Sequence, residues 1–80
     1  MSTYFCYTLW EFLDPDVSEM EFENDKEAVD FWVRRADEHV PTACMSITRL
    51  VEVDGVYYED FIALFRRGVN GLEIIKSHAI

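Results

Sequence analysis

The sequence predicts an α+β domain, in which one principal α-helix packs on one face of an antiparallel sheet of four to five strands. Several short segments rich in aromatic and β-branched residues are separated by turn signals, a pattern typical of strands. A single segment has the 3.6-residue apolar period of a helix. The chain has 80 residues, of which 50% are hydrophobic, and this size predicts one compact domain spanning residues 1–80.

The first predicted strand covers residues 2–13, and both of its faces are apolar, so we expect it in the interior of the sheet. A turn at residues 14–16 follows, because Pro15 presets φ and the aspartates beside it accept backbone hydrogen bonds. Residues 19–23 then alternate strictly between glutamate and apolar side chains. This alternation predicts a short edge strand whose charged face protects it against unwanted pairing.

The one predicted helix runs over residues 25–39. Asn24 followed by Glu27 resembles a capping box, and Pro41 ends the helix because the residue before a proline is disfavoured in the α region. Phe31 falls on the polar side, where we expect it to be exposed. The apolar stripe expected to lie on the sheet comprises Ala28, Val29, Trp32, Val33, Ala36 and Val40.

The next predicted strand covers residues 43–53 and is rich in β-branched and apolar side chains. Asp54 and Gly55 follow it directly, and this pair is a strong signal for a two-residue hairpin, since both central positions of a type I′ turn need positive φ. The partner strand is therefore expected to start at Val56.

Residues 59–67 allow two interpretations. They could form a short helix ended by Gly68, or a strand that leads into a second hairpin. We favour the strand, because Asn70 and Gly71 lie between two apolar segments and predict a turn before a last strand at residues 72–77.

The excess negative charge is concentrated in one quarter of the chain. The formal net charge is −9, and residues 11–30 hold nine acidic residues against one lysine, a local charge of −8. The charges of residues 31–80 nearly cancel, because this part of the chain has seven acidic and six basic residues. A charge this negative disfavours direct binding to nucleic acid and to anionic membranes, because both would repel the protein.

The sequence carries no recognisable catalytic, cofactor or metal signature, and predicts a protein that is not an enzyme and has no cofactor. His39 and His78 lack a nucleophile at a recognisable spacing, and Cys6 and Cys44 are best explained as buried free thiols. The aspartates of the first turn lack the glycine and the distal glutamate of a calcium loop. No signal peptide and no apolar segment of about 20 residues is present, which predicts a soluble cytoplasmic protein.

The acidic segment has two interpretations. In the first, the acids only solubilise the fold, protect an edge strand and complement the helix dipole. In the second, they form a binding surface, because glutamates at alternate strand positions stand about 6.7 Å apart in a row that imitates a nucleic-acid backbone. Phe31, with Tyr57 or Tyr58, would add apolar anchors. The partner-binding residues so predicted are Asp14, Asp16, Glu19, Glu21, Glu23, Asp25, Glu27, Asp30 and Phe31.

In size, charge and lack of catalytic motifs, the chain resembles the small inhibitors that bacteriophages encode against host nucleic-acid machinery, such as anti-CRISPR proteins, restriction inhibitors and small RNA polymerase inhibitors. The resemblance implies a non-catalytic inhibitor, active in the cytoplasm of a bacterial host, that occupies a basic nucleic-acid-binding surface as a partial DNA mimic. Two alternatives are an immunity-type protein that neutralises a basic toxin or nuclease, and a homodimeric structural or regulatory module. The homodimer would form through an unpaired sheet edge or an aromatic face around Tyr4, Trp10 and Tyr58.

Overall fold

The computed structural model describes residues 1–10, 15–38 and 42–77. Within these ranges the chain forms one helix and five strands, in which every neighbouring strand pair is antiparallel. The spatial strand order is β2-β1-β3-β4-β5. The predicted α+β class is therefore confirmed, with five strands in the sheet. The elements are β1 (Ser2–Trp10), β2 (Asp16–Phe22), α1 (Asp25–Glu38), β3 (Thr42–Val53), β4 (Val56–Gly68) and β5 (Gly71–Ser77).

The positions of the first two strands agree with their sequence patterns. β1, apolar on both faces, lies between β2 and β3, and the glutamate-bearing β2 is an edge strand. β2 begins at Asp16, earlier than predicted, and ends at Phe22, so Glu23 lies in the bend before α1. The predicted end of the first strand and the start of the turn, residues 11–14 including Asp14, lie outside the described residues.

The helix starts where its cap predicts. The side-chain oxygen of Asn24 accepts a hydrogen bond from the backbone N–H of Glu27 at 2.9 Å. The backbone carbonyl of Asn24 accepts another from the backbone N–H of Ala28 at 3.3 Å. These bonds satisfy amides that the first helical turn would otherwise leave unpaired. The predicted last residue of the helix, His39, and Pro41 lie outside the described residues.

The first hairpin has the predicted turn. Val53 pairs with Val56, so Asp54 and Gly55 form the two-residue loop between them. Their φ angles are 51° and 79°, and these positive values are those that a type I′ turn requires.

The second hairpin confirms the strand interpretation of residues 59–67, which belong to β4. Its turn lies one residue earlier than predicted. Gly68 pairs with Gly71, so the loop is Val69 and Asn70. Gly71 is the first residue of β5 and has a φ of 113°. The glycine therefore allows the positive φ at the start of the strand, and is not one of the two central residues of the turn.

The core is one hydrophobic cluster to which strands β1 to β4 and α1 contribute. Ala28, Val29, Trp32 and Ala36 of α1 are buried in this cluster, and the Trp32 ring lies 5.0 Å from that of Phe22, edge to face. We call the side of the sheet that carries the buried strand residues the core face. On β1, β3 and β4 these residues include Tyr4, Cys6, Thr8, Met45, Ile47, Ala63 and Phe65.

Phe31 differs from its prediction. It packs against the core cluster and is only partly exposed, with its ring centroid 5.4 Å from that of Phe22 and 6.0 Å from that of Trp32. These contacts with Phe22 and Trp32 hold the Phe31 ring against the domain.

Candidate interaction surface

The candidate interaction surface is the side of the sheet opposite the core face. Directly opposed residues of antiparallel strands share a face, so the register assigns each side chain to a side. We call this side the second face. Its members on β1 to β4 are Thr3, Phe5, Tyr7, Leu9, Val17, Glu19, Glu21, Cys44, Ser46, Thr48, Leu50, Glu59, Phe61, Leu64 and the basic Arg66.

The middle of the second face is apolar and open to solvent. Tyr7, Leu9 and Val17 are 37%, 44% and 55% exposed. Together with Cys44 and Leu64 they line a groove of about 280 Å³. An antiparallel sheet with one solvated face usually places polar residues there. A contiguous exposed apolar patch is instead typical of an interaction site.

Glu59 is a negatively charged residue that the structure adds to this surface. Its Oε1 accepts hydrogen bonds from the hydroxyls of Tyr7 and Thr48, the latter at 2.7 Å. These two bonds lower the pKa of Glu59, and the bond to Glu59 raises the pKa of Tyr7. The carboxylate is therefore charged and held in place on the second face.

Sequence reasoning missed Glu59 because it belongs to a strand far along the chain from the acidic segment. Only the strand order places β4 close enough for Glu59 to reach the hydroxyl of Tyr7 on β1. The alternation of β4 would have assigned Glu59 to one side of the sheet, but not to the neighbourhood of Glu19 and Glu21.

The structure leaves Glu19 and Glu21 on the edge strand as predicted. Both are exposed, and they lie opposite Phe5 and Thr3 on the second face. Alternate positions on one strand are about 6.7 Å apart. Glu23, predicted as the third carboxylate of this row, lies beyond the end of β2.

Asp25 has a structural role within the domain. Its Oδ1 accepts hydrogen bonds from the Tyr4 hydroxyl at 2.5 Å and from Arg49 Nη1 at 3.2 Å, and Arg49 Nη2 also contacts Asp60 Oδ2 at 3.2 Å. The Asp25 side chain is 27% exposed. Burial and the bond to Asp25 raise the pKa of Tyr4 to about 12. This polar cluster ties the start of α1 to the sheet and gives Asp25 a cationic partner of its own.

The remaining predicted residues are dispersed. Asp30 forms a salt bridge with Lys26 at 2.7 Å on α1, where Glu27 is exposed. Asp16 lies opposite Thr8, a core-face residue, and accepts a hydrogen bond from the backbone N–H of Val17 at 2.9 Å. The described acids thus lie on the second face, on the core-face side of β2, in the bend before α1, in the polar cluster and on α1, and do not form one continuous row.

The aromatic residues predicted to form a dimer surface are not all exposed. Tyr4 is buried in the core, with 1% of its surface exposed, so it cannot contribute to an exposed aromatic face. Tyr57 and Tyr58 remain 63% and 49% exposed. The side chain of Trp10 lies outside the described part of the structure.

Cys6 and Cys44 are free thiols, as predicted, but only Cys6 is buried, whereas Cys44 is partly exposed. Burial raises the pKa of Cys6 to about 11. Among the described residues, no three His, Cys, Asp or Glu side chains come together in a way that could hold a metal ion. Over the same part of the chain, no helix has the length and apolar character needed to span a membrane.

Comparison of the chain with protein-family models, with curated proteins and with solved structures gives no match.

Proposed function

We propose that the protein is a non-catalytic inhibitor that uses its second face to bind the basic nucleic-acid-binding surface of a bacterial defence or nucleic-acid-processing complex. In this proposal α1 packs on the core face alone and leaves the second face free for a partner. The observation that carries the proposal is the exposed apolar centre of that face with the carboxylates of Glu19, Glu21 and Glu59 beside it. The basic residues of the face, Arg66 and Lys76, lie on β4 and β5, away from Glu19 and Glu21 on β2.

The charge of the chain favours a basic partner. Among the described residues, the salt bridges use Asp25, Asp30, Asp60 and Glu73. None of them uses Glu19, Glu21 or Glu59, so these carboxylates are available to an external cation; on the β5 side of the second face, Glu73 instead contacts Arg66. Opposite charges would steer the two proteins together and increase the association rate, while the apolar centre would supply affinity.

The spacing of these carboxylates supports a partial DNA mimic. Glu19 and Glu21 are about 6.7 Å apart along β2, and Glu59 lies on β4, three strand spacings or about 14 Å across the sheet. Because Tyr7 and Thr48 already hold Glu59, less conformational entropy is lost when a cation binds it. A cleft that binds phosphates through Lys and Arg offers the complementary charge.

The non-catalytic part of the proposal is supported by the protonation of Cys6 and Tyr7. The buried Cys6, with a pKa of about 11, is protonated at neutral pH and is therefore a poor nucleophile. Tyr7 donates to Glu59, which stabilises its phenol form.

The test measures inhibition in a panel of purified enzymes that bind nucleic acid through basic clefts: RNA-guided nucleases, restriction endonucleases and a bacterial RNA polymerase. We expect one of them to be inhibited, duplex DNA to compete with the inhibitor, and inhibition to weaken steeply as salt rises. If no enzyme in the panel is inhibited, the proposal fails for these classes.

A matched pair of variants separates the second face from charge in general. Glu19→Lys/Glu21→Lys should weaken inhibition by about tenfold or more. The control Glu23→Lys/Glu27→Lys changes the net charge equally but lies outside the second face, and should inhibit nearly as well as the wild type. If both pairs lose inhibition equally, total charge and not this face drives binding. If the first pair inhibits normally, the proposal is wrong.

A further inference from the structure

The end of the β3–β4 hairpin extends beyond the rest of the sheet. The last residue of β3 in register with β1 is Arg49, and the pairing of β4 with β5 starts only at Ala63. Residues 50–59 are therefore paired only within the hairpin over the described chain. Four residues of strand beyond Arg49 correspond to about 13 Å. We call residues 50–59 the hairpin end.

One side of the hairpin end is entirely apolar. Val51 pairs with Tyr58 and Val53 pairs with Val56, so these four side chains share one side of the ribbon, the same side as the core face. We call them the hairpin strip. Val53, Val56 and Tyr58 remain 48%, 65% and 49% exposed. The opposite side carries Leu50, Glu52, Tyr57 and Glu59.

The stability of the hairpin does not explain this exposure. Cross-strand pairs of valine and tyrosine do favour a ribbon, but a two-stranded ribbon is only marginally stable in water. The turn at Asp54 and Gly55 already fixes the register. Large apolar side chains that stay half exposed after folding, on a projecting element, are typical of a contact that a partner completes.

The charge around the strip identifies the partner. Arg49 and Asp60, which border the strip, pair with each other. Glu52, Asp54 and Glu59 leave the hairpin end negatively charged, and residues 50–59 hold no basic residue, so nucleic acid would be repelled. A second copy would bring like charges together, and four side chains alone bury far less than the roughly 1,200 Å² of a stable interface, whereas on a partner that the second face also contacts they would add to a larger interface. An apolar pocket on a cationic protein is complementary in both respects.

We propose that the hairpin strip is a second contact element, which inserts into an apolar pocket bordered by basic residues on the partner. This inference rests on the proposed function, since it assigns the strip to the same class of cationic partner. The second face supplies carboxylates for the basic surface, and the strip supplies a separate apolar anchor on the other side of the sheet.

The test uses two defined probes and the full chain. One probe is a leucine–lysine peptide whose helix has one apolar and one basic face, and the other is an oligolysine of the same charge. We expect the wild-type chain to bind the first peptide about tenfold more tightly than the second. In the double variant Val53→Thr/Tyr58→Thr this advantage should decrease several-fold, because only the apolar centre of the second face remains to contact the leucines, whereas the control Val69→Thr, 98% exposed on the other hairpin, should keep it. Threonine maintains strand propensity, and circular dichroism checks the fold.

A double variant that retains the full preference for the leucine–lysine peptide would overturn the inference. Backbone amide chemical shifts of the wild-type chain give a second readout, because the leucine–lysine peptide should shift residues 51–58 and oligolysine should not. If the wild-type chain sediments as a dimer and the double variant as a monomer, the strip contacts a second copy and the inference is wrong. None of these outcomes depends on the enzyme panel, so failure of the proposed function is seen separately, as absence of inhibition.

Discussion

Replacing Tyr4 by phenylalanine tests the polar cluster that ties α1 to the sheet. The substitution keeps the buried ring and its edge contact with Phe22, at 5.8 Å, but removes the hydroxyl that donates to Asp25 at 2.5 Å. A hydrogen bond to a charged group contributes about 1.5–3 kcal/mol. Asp25 is 27% exposed and keeps its contact with Arg49, so we expect a loss of about 1–2 kcal/mol at pH 7.

The pKa of Tyr4 adds a pH dependence to this difference. A rise from 10.0 to about 12, caused first by burial and then by the bond to Asp25, corresponds to at most ~2.7 kcal/mol by which the neutral phenol stabilises the folded state relative to the phenolate. Because the folded-state value lies above the unfolded one, this stabilisation is complete below pH 10 and is lost as the pH rises from 10 to about 12. The difference in stability between wild type and Tyr4→Phe should therefore be constant from pH 7 to 9 and shrink above pH 10.

The assay is urea unfolding of both proteins, followed by circular dichroism between pH 7 and 11.5. The buried thiol of Cys6, with a pKa of about 11, also ionises in this range, but it does so in both proteins and cancels in the difference. Equal stability of wild type and variant at pH 7 would refute the role assigned to the hydroxyl. A difference that stays constant up to pH 11.5 would refute the raised pKa of Tyr4.

Three further predictions concern the turn, the thiols and the second face. Gly55→Ala should lower the free energy of unfolding by about 1 kcal/mol in urea titrations. An added Cβ would contact nothing within 4 Å, so the cost comes from the backbone φ of 79°. Gly55→Asn should lower it less, because asparagine tolerates positive φ better than alanine. A thiol reagent at pH 8 should modify the half-buried Cys44 well before the buried Cys6, as mass spectrometry of tryptic peptides would show, and equal rates would contradict the burial of Cys6. Glu59→Gln should lower the pKa of Tyr7 towards its ordinary value, because the hydroxyl then donates to a neutral group. An unchanged ultraviolet titration relative to wild type would argue against that contact.

Local sequence patterns determined most of the secondary structure. The cap at Asn24, the turn at Asp54 and Gly55 and the alternation along β2 are short-range signals, and the structure contains each of them. These signals depend on backbone conformation and on neighbouring residues, so they can be recognised before the tertiary fold is known. The strand at residues 59–67 is predictable only because a second turn signal follows it in the sequence.

The composition of the candidate surface was less predictable, because it depends on contacts between distant residues. Acidic residues that are neighbours in sequence separate in space, since successive strand residues point to opposite sides of the sheet and a helix follows the strand. Asp25 contacts Arg49, which belongs to the third strand, and this pairing could not be found from the acidic segment alone.

The sequence by itself determined that this is an acidic α+β domain with an edge strand rich in glutamate and one capped helix. Only the tertiary structure decided which carboxylates are paired within the domain and which are not. Strand order and register brought Glu59 to Tyr7 and Thr48, assigned Asp25 to the polar cluster and left an apolar second face open. The physical reason is that hydrogen-bonded register and core packing are properties of the whole sheet, which no short segment specifies.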